Sequence, residues 1–295
     1  MANGVKYTGT GVAMVTPFKT DGTLDIQQLE IHTNQQIEHG VEFLVALGTT
    51  AETPTLSAYE KLEIIDVIRR VNNGRVPLVV GAGGNNTEDV INWIRKTGTR
   101  EIDAFLSVVP YYNKPSQAGI KAHFSAIAAA SDIPLILYNV PGRTGTNMSA
   151  NTTLELAGEL GDKVAAVKEA SGDFAQIMEI IAHKPEGFQV LSGDDAITLP
   201  MISTGAEGVI SVIGNAFPAL FSGMVRDALS GDLEASREKH YKLMPFYELA
   251  FREGNPCGVK AIMQELGYGD ANLRLPLIPA TEALVSDIQH TLTSL

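Results

Sequence analysis

Cysteine is almost absent from this sequence. One cysteine, Cys257, occurs in 295 residues, so the chain can form neither an internal disulfide nor a cluster of cysteine metal ligands. This composition fits a reducing compartment. The first residues also lack the basic start and apolar stretch of a signal peptide. We therefore expect a cytoplasmic protein.

Long apolar runs and an excess of basic residues are missing as well. No apolar run approaches the roughly 20 residues that a membrane-spanning helix needs. The 22 Lys and Arg residues are outnumbered by 34 Asp and Glu residues, which gives a net charge of −12. That balance argues against nucleic acid or an anionic membrane as the main partner. We expect a soluble protein, in which a site for an anionic substrate would need its own local positive field.

The clearest pattern that is present is an alternation of short apolar runs with amphipathic helical segments. The apolar runs lie at residues 11–15, 43–47, 77–80, 104–109, 134–137, 164–167, 188–191 and 208–212. The helical segments between them lie at 29–39, 59–71, 87–96, 118–130, 152–160 and 174–183. This alternation predicts an α/β fold whose parallel sheet closes into a (β/α)8 TIM barrel. An open doubly wound sheet is the alternative, but no clean glycine fingerprint follows the first strand.

The alternation stops after residue 217. Helical patterns then cover residues 219–229, 233–251, 257–266 and 281–292, with glycine and proline between them. We predict a C-terminal helical appendage on the barrel. The expected domains are a barrel catalytic domain over residues 1–224 and a helical domain over 225–295.

Lys168 ends an apolar strand, where an amine is unusual. Because side chains alternate along a strand, Val164, Ala166 and Lys168 share one face. Active sites of (β/α)8 barrels lie at the carboxyl ends of the strands, and a lysine amine in a partly dry pocket is a nucleophile toward carbonyls. Lys168 is therefore the candidate nucleophile. A surface lysine with its amine in water is the alternative.

Other chemically useful side chains stand at the ends of neighbouring strands. Tyr138 ends the preceding strand, and strands about 4.8 Å apart could bring its phenol to the lysine as a proton relay. Thr49 and Thr50 offer hydroxyl and backbone N–H groups to a carboxylate. Arg143 could hold a second carboxylate in a bidentate manner. Judged one by one, a capping tyrosine explains Tyr138 equally well, whereas a turn explains the threonine pair better and a surface ion pair explains Arg143 better.

A metal centre is not expected. All six histidines fall within helical patterns or at their ends, away from the strand ends where metal ligands would have to converge. Asp194 and Asp195 follow a predicted strand, but a helix cap explains them better. We predict no metal and no organic cofactor.

Five motifs occur in order with regular spacings, and together they resemble the dihydrodipicolinate synthase family. This family belongs to the pyruvate-dependent class I aldolases, which include N-acetylneuraminate lyase. The resemblance extends over nearly the whole chain. The motifs are Gly48-Thr49-Thr50-x-Glu52, Pro110-Tyr111-Tyr112-Asn113, Tyr138-Asn139-Val140-Pro141-x-Arg143-Thr144-Gly145, Val167-Lys168-Glu169-Ala170 and Ser192-Gly193-Asp194-Asp195.

The resemblance implies a reaction and a role for each matching residue. Pyruvate would form a Schiff base with Lys168 and condense with L-aspartate 4-semialdehyde, in lysine and diaminopimelate biosynthesis. The implied proton relay is Tyr138, Thr49 and Tyr112, with Tyr112 supplied by a neighbouring subunit. The implied substrate-binding residues are Thr50 for the pyruvate carboxylate, Arg143 for the semialdehyde carboxylate, and Gly193 and Ile210 for the pyruvate pocket. A tight homodimer, paired into a tetramer, is also implied.

Two features of this chain depart from the family pattern. Ala51 replaces a glycine in the turn beside Thr50, which would cost on the order of 1 kcal/mol if that position needed a positive φ. Many members bind L-lysine as a feedback inhibitor near the positions of Tyr111, Asn85 and Asp89. Here Ala58 and Lys61 replace residues friendlier to that ligand, and a cationic Lys61 would repel its ammonium group. We predict weak or absent inhibition by lysine.

Two other functions compete with this interpretation. One is a different pyruvate aldolase, which would cleave a sialic acid or a hydroxylated 2-oxo acid. The setting of Arg143 favours the condensation with aspartate semialdehyde. The other is a solute-binding or regulatory barrel that has lost catalysis. The complete set of nucleophile, relay and carboxylate-binding residues argues against it.

Overall fold

The predicted barrel is confirmed by a computed structural model, which describes residues 7–98 and 100–295. Eight parallel strands follow one another in sequence order and close into a barrel. The open doubly wound alternative is therefore excluded. The strands are β1 (Gly9–Ala13), β2 (Phe43–Ala46), β3 (Leu78–Gly81), β4 (Ala104–Val108), β5 (Leu135–Asn139), β6 (Val164–Glu169), β7 (Gln189–Ser192) and β8 (Gly208–Ser211).

Helices alternate with these strands and continue after the last of them. The helices between strands are α1 (Ile26–Glu38), α2 (Ala58–Asn72), α3 (Thr87–Thr97), α4 (Gln117–Ala129), α5 (Pro141–Thr144), α6 (Ala150–Leu160), α7 (Phe174–His183) and α8 (Thr198–Ser203). Those after β8 are α9 (Pro218–Ser230), α10 (Leu233–Phe251), α11 (Cys257–Glu265) and α12 (Glu282–Leu292). The predicted C-terminal helices are thus present.

Short polar side chains fix where several helices begin. The Ser57 hydroxyl accepts from the Glu60 backbone N–H while the Glu60 carboxylate accepts from the Ser57 N–H, which forms a capping box at α2. Ser149 caps α6 and Asp173 caps α7 by accepting from backbone N–H groups of the first turn. Because each cap satisfies N–H groups that have no partner inside the helix, these boundaries are set by local sequence.

The structure contains two short helices that the sequence pattern did not predict. α5 is a single turn that begins with Pro141, and α8 spans six residues with Pro200 in its first turn. Neither segment is long enough for a helical period to stand out in the sequence. Proline is tolerated in a first turn because its missing N–H would have no helical partner there.

By their internal contacts, the described residues form two compact units. One unit comprises residues 7–8 and Pro77–Ile210 and includes β3 to β7 with the helices between them. The other comprises Gly9–Val76 and Ser211–Leu295 and includes β1, β2 and the C-terminal helices. The domain boundary expected between residues 224 and 225 stays a prediction; that position lies inside α9.

The core of each unit is apolar. Every residue of β2 is buried, as are all residues of β5, and these strands consist mainly of branched aliphatic side chains. Such strands are typical of a parallel sheet that is covered on both faces. Within the part of the chain that the structure describes, no helix has the length and apolar character needed to cross a membrane.

Candidate active site

The structure brings the amine of Lys168 directly to Tyr138. The two residues are paired across β5 and β6, and the Nζ atom lies 4.4 Å from the centroid of the tyrosine ring. Lys168 is only 5% exposed and Tyr138 only 6% exposed. Among residues 7–98 and 100–295, neither the amine nor the phenol has a hydrogen-bond or ion-pair partner. The lysine is therefore largely buried and not held by a counter-ion, which leaves its nitrogen available to a carbonyl carbon.

A second buried lysine, Lys260 on α11, is held in the opposite way. Its Nζ donates to the Glu52 carboxylate at 2.6 Å and to the backbone oxygens of Thr16 and Asn272 at 2.7 and 2.8 Å. Burial lowers the pKa of Lys260, and the charge of Glu52 opposes that shift. All three donor positions of the ammonium group are occupied, so Lys260 serves structure whereas Lys168 is free to react.

Gly193 provides the space that the Lys168 side chain occupies. A Cβ atom at this position would lie 2.6 Å from the Cβ of Ala170 and 3.0 Å from the Cε of Lys168. Those distances are shorter than non-bonded carbon contacts allow, so only glycine leaves the lysine stem in place. Ile210 is fully buried on β8. Both positions expected to line a pyruvate pocket thus stand at or next to the carboxyl ends of their strands.

Thr49 and Thr50 belong to the other unit, in a short 3-10 helix that follows β2. Thr49 is exposed, whereas Thr50 is buried and its hydroxyl oxygen accepts from Asn255 Nδ2 at 3.0 Å. Because Asn255 occupies an acceptor position of this oxygen, the hydroxyl proton of Thr50 is directed elsewhere. A hydroxyl of this polarity can donate to a carboxylate.

The turn that carries these threonines does not strain Ala51. Positive φ occurs at the next residue, Glu52 (φ 53°), and not at Ala51. Alanine therefore replaces glycine at a position of ordinary backbone conformation, without the cost considered above. The Ala51 carbonyl accepts from the Thr16 hydroxyl at 2.8 Å, and the Glu52 carboxylate accepts from the Lys260 amine. These bonds fix the turn.

Arg143 and Tyr112 both present their side chains outward. Arg143 lies on α5, immediately after β5, and it is exposed. Among the described residues, no carboxylate or other side chain pairs with its guanidinium group. Tyr112 is 88% exposed and has a φ of 72°, a conformation that is uncommon for any residue with a side chain. Such strain at an exposed aromatic residue is typical of functional segments.

Of the Asp194-Asp195 pair, Asp194 caps the following 3-10 turn and Asp195 is the first residue of that turn. The Asp194 carboxylate accepts from the backbone N–H of Ala196 at 2.9 Å. The histidines lie on helices or at a helix end; for example, His32 on α1 is fully buried and bonds Asn215, and its burial lowers its pKa to about 4. In the segments 7–98 and 100–295, no three His, Cys, Asp or Glu side chains are grouped so that they could hold a metal ion.

Sequence reasoning assigned no role to three buried polar residues whose partners the structure shows. Asn255 reaches Thr50 across 205 residues of sequence, and no local pattern could have indicated it. Lys260 could have been noticed, because it interrupts the apolar run from Val259 to Met263. Glu169, directly after Lys168, is a carboxylate that is fully buried. A charged residue on the second face of an apolar strand is the signal that could have found it.

A buried lysine beside a tyrosine, at the carboxyl ends of strands in a (β/α)8 barrel, defines the class of lyases that work like class I aldolases. The family model described as "Dihydrodipicolinate synthetase family" matches residues 6–295. This chain belongs to that family.

Individual relatives and solved structures match this chain over almost its whole length. The chain is 51% identical over 284 residues to the 4-hydroxy-tetrahydrodipicolinate synthase of Azobacteroides pseudotrichonymphae, covering 96% of each chain. The solved structure of dihydrodipicolinate synthase from Thermotoga maritima is similar with a TM-score of 0.95 and 37% identity, covering 98% of each chain. A structure described as a monomeric dihydrodipicolinate synthase variant has the same TM-score and identity, covering 97% of this chain and 96% of that one.

Proposed function

We propose that this protein condenses pyruvate with L-aspartate 4-semialdehyde through a Schiff base on Lys168, as a 4-hydroxy-tetrahydrodipicolinate synthase of lysine and diaminopimelate biosynthesis. The observation that carries the proposal is the amine of the largely buried Lys168, which lacks a counter-ion among the described residues and lies 4.4 Å from the Tyr138 ring centroid. The family membership and the names of the relatives support the same reaction. We also place the enzyme in the cytoplasm.

The first half of the reaction builds a nucleophile from pyruvate. The Lys168 nitrogen attacks the ketone carbon of pyruvate, and loss of water from the resulting carbinolamine gives a protonated imine. The imine withdraws electrons, so a proton leaves the methyl group and an enamine forms. Tyr138 delivers and removes protons in these steps, with Thr49 and Tyr112 completing the relay. Thr50 donates its hydroxyl proton to the pyruvate carboxylate, because Asn255 already occupies an acceptor position of its oxygen.

The second half forms the carbon–carbon bond and releases the lysine. The enamine carbon attacks the aldehyde carbon of the semialdehyde, whose carboxylate is bound by Arg143. The amino group of that substrate then attacks the imine carbon, closes the ring and frees the Lys168 amine. Gly193 and Ile210 line the pyruvate pocket. The exposed guanidinium group of Arg143 also supplies positive charge that the acidic chain as a whole lacks.

The proposed assembly is a tight dimer that pairs into a tetramer. Tyr112 supports it, because this residue is 88% exposed in the single chain and would reach the site of a neighbouring subunit. Complementation tests this arrangement: Lys168→Ala and Tyr112→Phe should each lose most activity, and a refolded mixture of both should regain part of it. No recovery from a mixture that sediments as a mixed oligomer would contradict the sharing of Tyr112.

The choice of aldehyde is tested by comparing acceptors. Purified enzyme with pyruvate should consume L-aspartate 4-semialdehyde, and N-acetylmannosamine should be consumed far more slowly, because Arg143 provides a partner for a carboxylate that the sugar lacks. Arg143→Ala should raise the KM for the semialdehyde and leave pyruvate binding nearly unchanged. Preferential use of the sugar would instead identify a neuraminate lyase.

A further inference from the structure

The residues that directly follow Tyr138 and Lys168 are also paired with each other. Asn139 and Glu169 are Cα partners across β5 and β6, one step beyond the Tyr138–Lys168 pair. Successive side chains of a strand point to opposite faces, so these two lie on the face away from the lysine amine. Asn139 Nδ2 donates to both oxygens of Glu169, at 3.2 and 3.1 Å, and both residues are fully buried.

Glu169 is surrounded by hydrogen-bond donors. Besides Asn139, its carboxylate accepts from the Ser171 backbone N–H at 2.8 Å and from Gln176 Nε2 at 3.3 Å. No cation forms an ion pair with it among the residues that the structure describes. Burial raises the pKa of this carboxyl group, and the donors oppose that shift. Because each of these hydrogen-bond partners is a donor, the Glu169 carboxylate orients all of them at once. A side chain that donates hydrogen bonds would not fit in its place.

Asn139 and Gln176 also hold the loop that carries Arg143. Asn139 Oδ1 accepts from the Met148 backbone N–H at 2.9 Å, and Asn139 Nδ2 donates to Asn147 Oδ1 at 2.8 Å. Gln176 on α7 donates to the Met148 carbonyl at 3.2 Å. Asn139, which ends β5, is therefore hydrogen-bonded to the residues just before α6. Arg143 lies on the loop between these two points.

The cluster also reaches the glycine that makes room for the lysine. The Gly193 backbone N–H donates to the Glu169 carbonyl at 2.8 Å, and the Ala170 N–H donates to the Asn139 carbonyl at 2.9 Å. Four site positions, namely Tyr138, Arg143, Lys168 and Gly193, are thus within a few bonds of one buried amide–carboxylate pair.

We propose that Asn139 and Glu169, together with Asn147 and Gln176, are positioning residues for the reaction, holding Lys168, Tyr138 and Arg143 in one arrangement from the face opposite the substrate. This inference rests on the proposed function. None of the four residues contacts a reacting atom in the proposed reaction. Their effect is on geometry, where a displacement of about 1 Å can cost on the order of 100-fold in rate.

Reciprocal exchange of the pair tests this role. Glu169→Gln points an amide donor at other donors, and Asn139→Asp places two carboxylates against each other; each change keeps the size of the side chain. Each single variant should form the reduced pyruvate adduct at Lys168 about 10- to 100-fold more slowly at saturating pyruvate. The double variant restores one donor facing one acceptor, so it should recover at least about tenfold over the poorer single variant.

A control separates lost positioning from lost stability. Ser236→Ala removes a buried hydrogen bond to the Met224 carbonyl, between α9 and α10, and it should lower the melting temperature without changing the rate of adduct formation. Gln176→Ala, at a partly exposed position, should reduce the rate in the same direction and raise the KM for the semialdehyde. This milder variant decides the matter if neither single variant of the pair folds.

The outcomes distinguish this inference from the proposed function. If the wild-type protein forms no adduct at Lys168, the proposed function itself fails. If the wild type forms it and the folded Glu169→Gln, Asn139→Asp or Gln176→Ala variants match its rate, only the positioning role fails. A double variant whose loss equals the product of the single losses would also overturn that role.

Discussion

At the scale of single residues, two lysines of equal burial show how local partners decide function. Lys168 and Lys260 are 5% and 2% exposed. Lys260 donates three hydrogen bonds, one of them to Glu52, whereas Lys168 has a tyrosine ring as its neighbour. Burial alone therefore does not make a lysine reactive. The absence of an acceptor at Lys168 among the described residues leaves its nitrogen available to a substrate carbonyl.

Gly193 gives a residue-scale prediction. Gly193→Ala places a methyl group 3.0 Å from the Cε of Lys168 and 2.6 Å from the Cβ of Ala170, so the lysine stem must move. We expect kcat/KM to fall by about 10- to 100-fold while the protein still folds. Steady-state kinetics with pyruvate measure it.

The matched control for this substitution is Gly158→Ala on α6. A Cβ at Gly158 meets nothing within 4 Å, and alanine favours a helix over glycine by roughly 1 kcal/mol. This variant should keep wild-type kinetics and unfold at a slightly higher temperature. Equal kinetics for Gly193→Ala and the wild type would contradict the steric role assigned to Gly193.

At the scale of elements, the sequence predicts the strands and helices well and the contacts between distant elements poorly. Continuous apolar runs were enough to place all eight strands, because a parallel sheet is covered on both faces. The helical period placed the four C-terminal helices. It could not reveal α5 or α8, which are too short to show a period. It also gave no indication of the bond from Asn255 to Thr50, since the two residues are far apart in sequence.

The residues of the candidate site likewise divide into those that the sequence identifies and those whose contacts only the structure supplies. Lys168 and Tyr138 lie near the ends of apolar strands and Arg143 follows one of them, so the strand pattern and the family motifs together found them. Glu169 and Asn139 lie in those same motifs, but their pairing depends on the register of β5 against β6, which only the structure supplies. The polarity of the Thr50 hydroxyl likewise depends on an amide from another element.

The ion pair between α11 and the turn after β2 supports an element-scale prediction. Lys260→Met leaves the buried carboxylate of Glu52 without its counter-ion, and breaking such a pair destabilises a protein by roughly 3–5 kcal/mol. Urea unfolding followed by circular dichroism measures the change. The exposed pair of Arg70 and Glu30 is the control, since Arg70→Ala should have a far smaller effect. Similar losses for the two variants would contradict the structural role of Lys260.

His32 on α1 predicts a pH dependence of stability. Burial lowers its pKa from 6.5 to about 4, so the unfolded chain binds a proton more readily than the folded one between those values. Stability should therefore fall as the pH drops from 6.5 toward 4, by up to roughly 3 kcal/mol from this residue. His32→Gln keeps a donor toward Asn215 but cannot titrate, so its melting temperature should fall less over that range. Parallel curves for both proteins would contradict this assignment.

At the scale of the whole molecule, the net charge of −12 sets the conditions under which an enzyme works whose two proposed substrates each carry a carboxylate. The general field of the protein repels both carboxylates, so in the proposed reaction their binding depends on local groups, for which we propose Arg143 and the Thr50 hydroxyl. The same reasoning extends to a cationic effector, which the general field attracts and which only local positive charge can reject.

Lysine inhibition is the prediction at this scale. Ala58 begins α2 and Lys61 lies one turn later. The family resemblance implies that lysine-sensitive members have residues friendlier to that ligand at these two positions. L-lysine should therefore inhibit the wild-type protein weakly or not at all. It should inhibit the Lys61→Gln variant more strongly, because the repulsion is removed. Strong inhibition of the wild type by sub-millimolar lysine in a steady-state titration would refute the prediction.

The central claim is that pyruvate becomes covalently bound to the amine of Lys168, and borohydride trapping tests it most directly. Reduction in the presence of pyruvate, followed by peptide mass spectrometry, should add one reduced pyruvate unit to the peptide that contains Lys168. Lys163→Arg should label like the wild type, and Lys168→Arg should not label. An unmodified Lys168 in the wild-type protein, or a label on another lysine, would contradict the account.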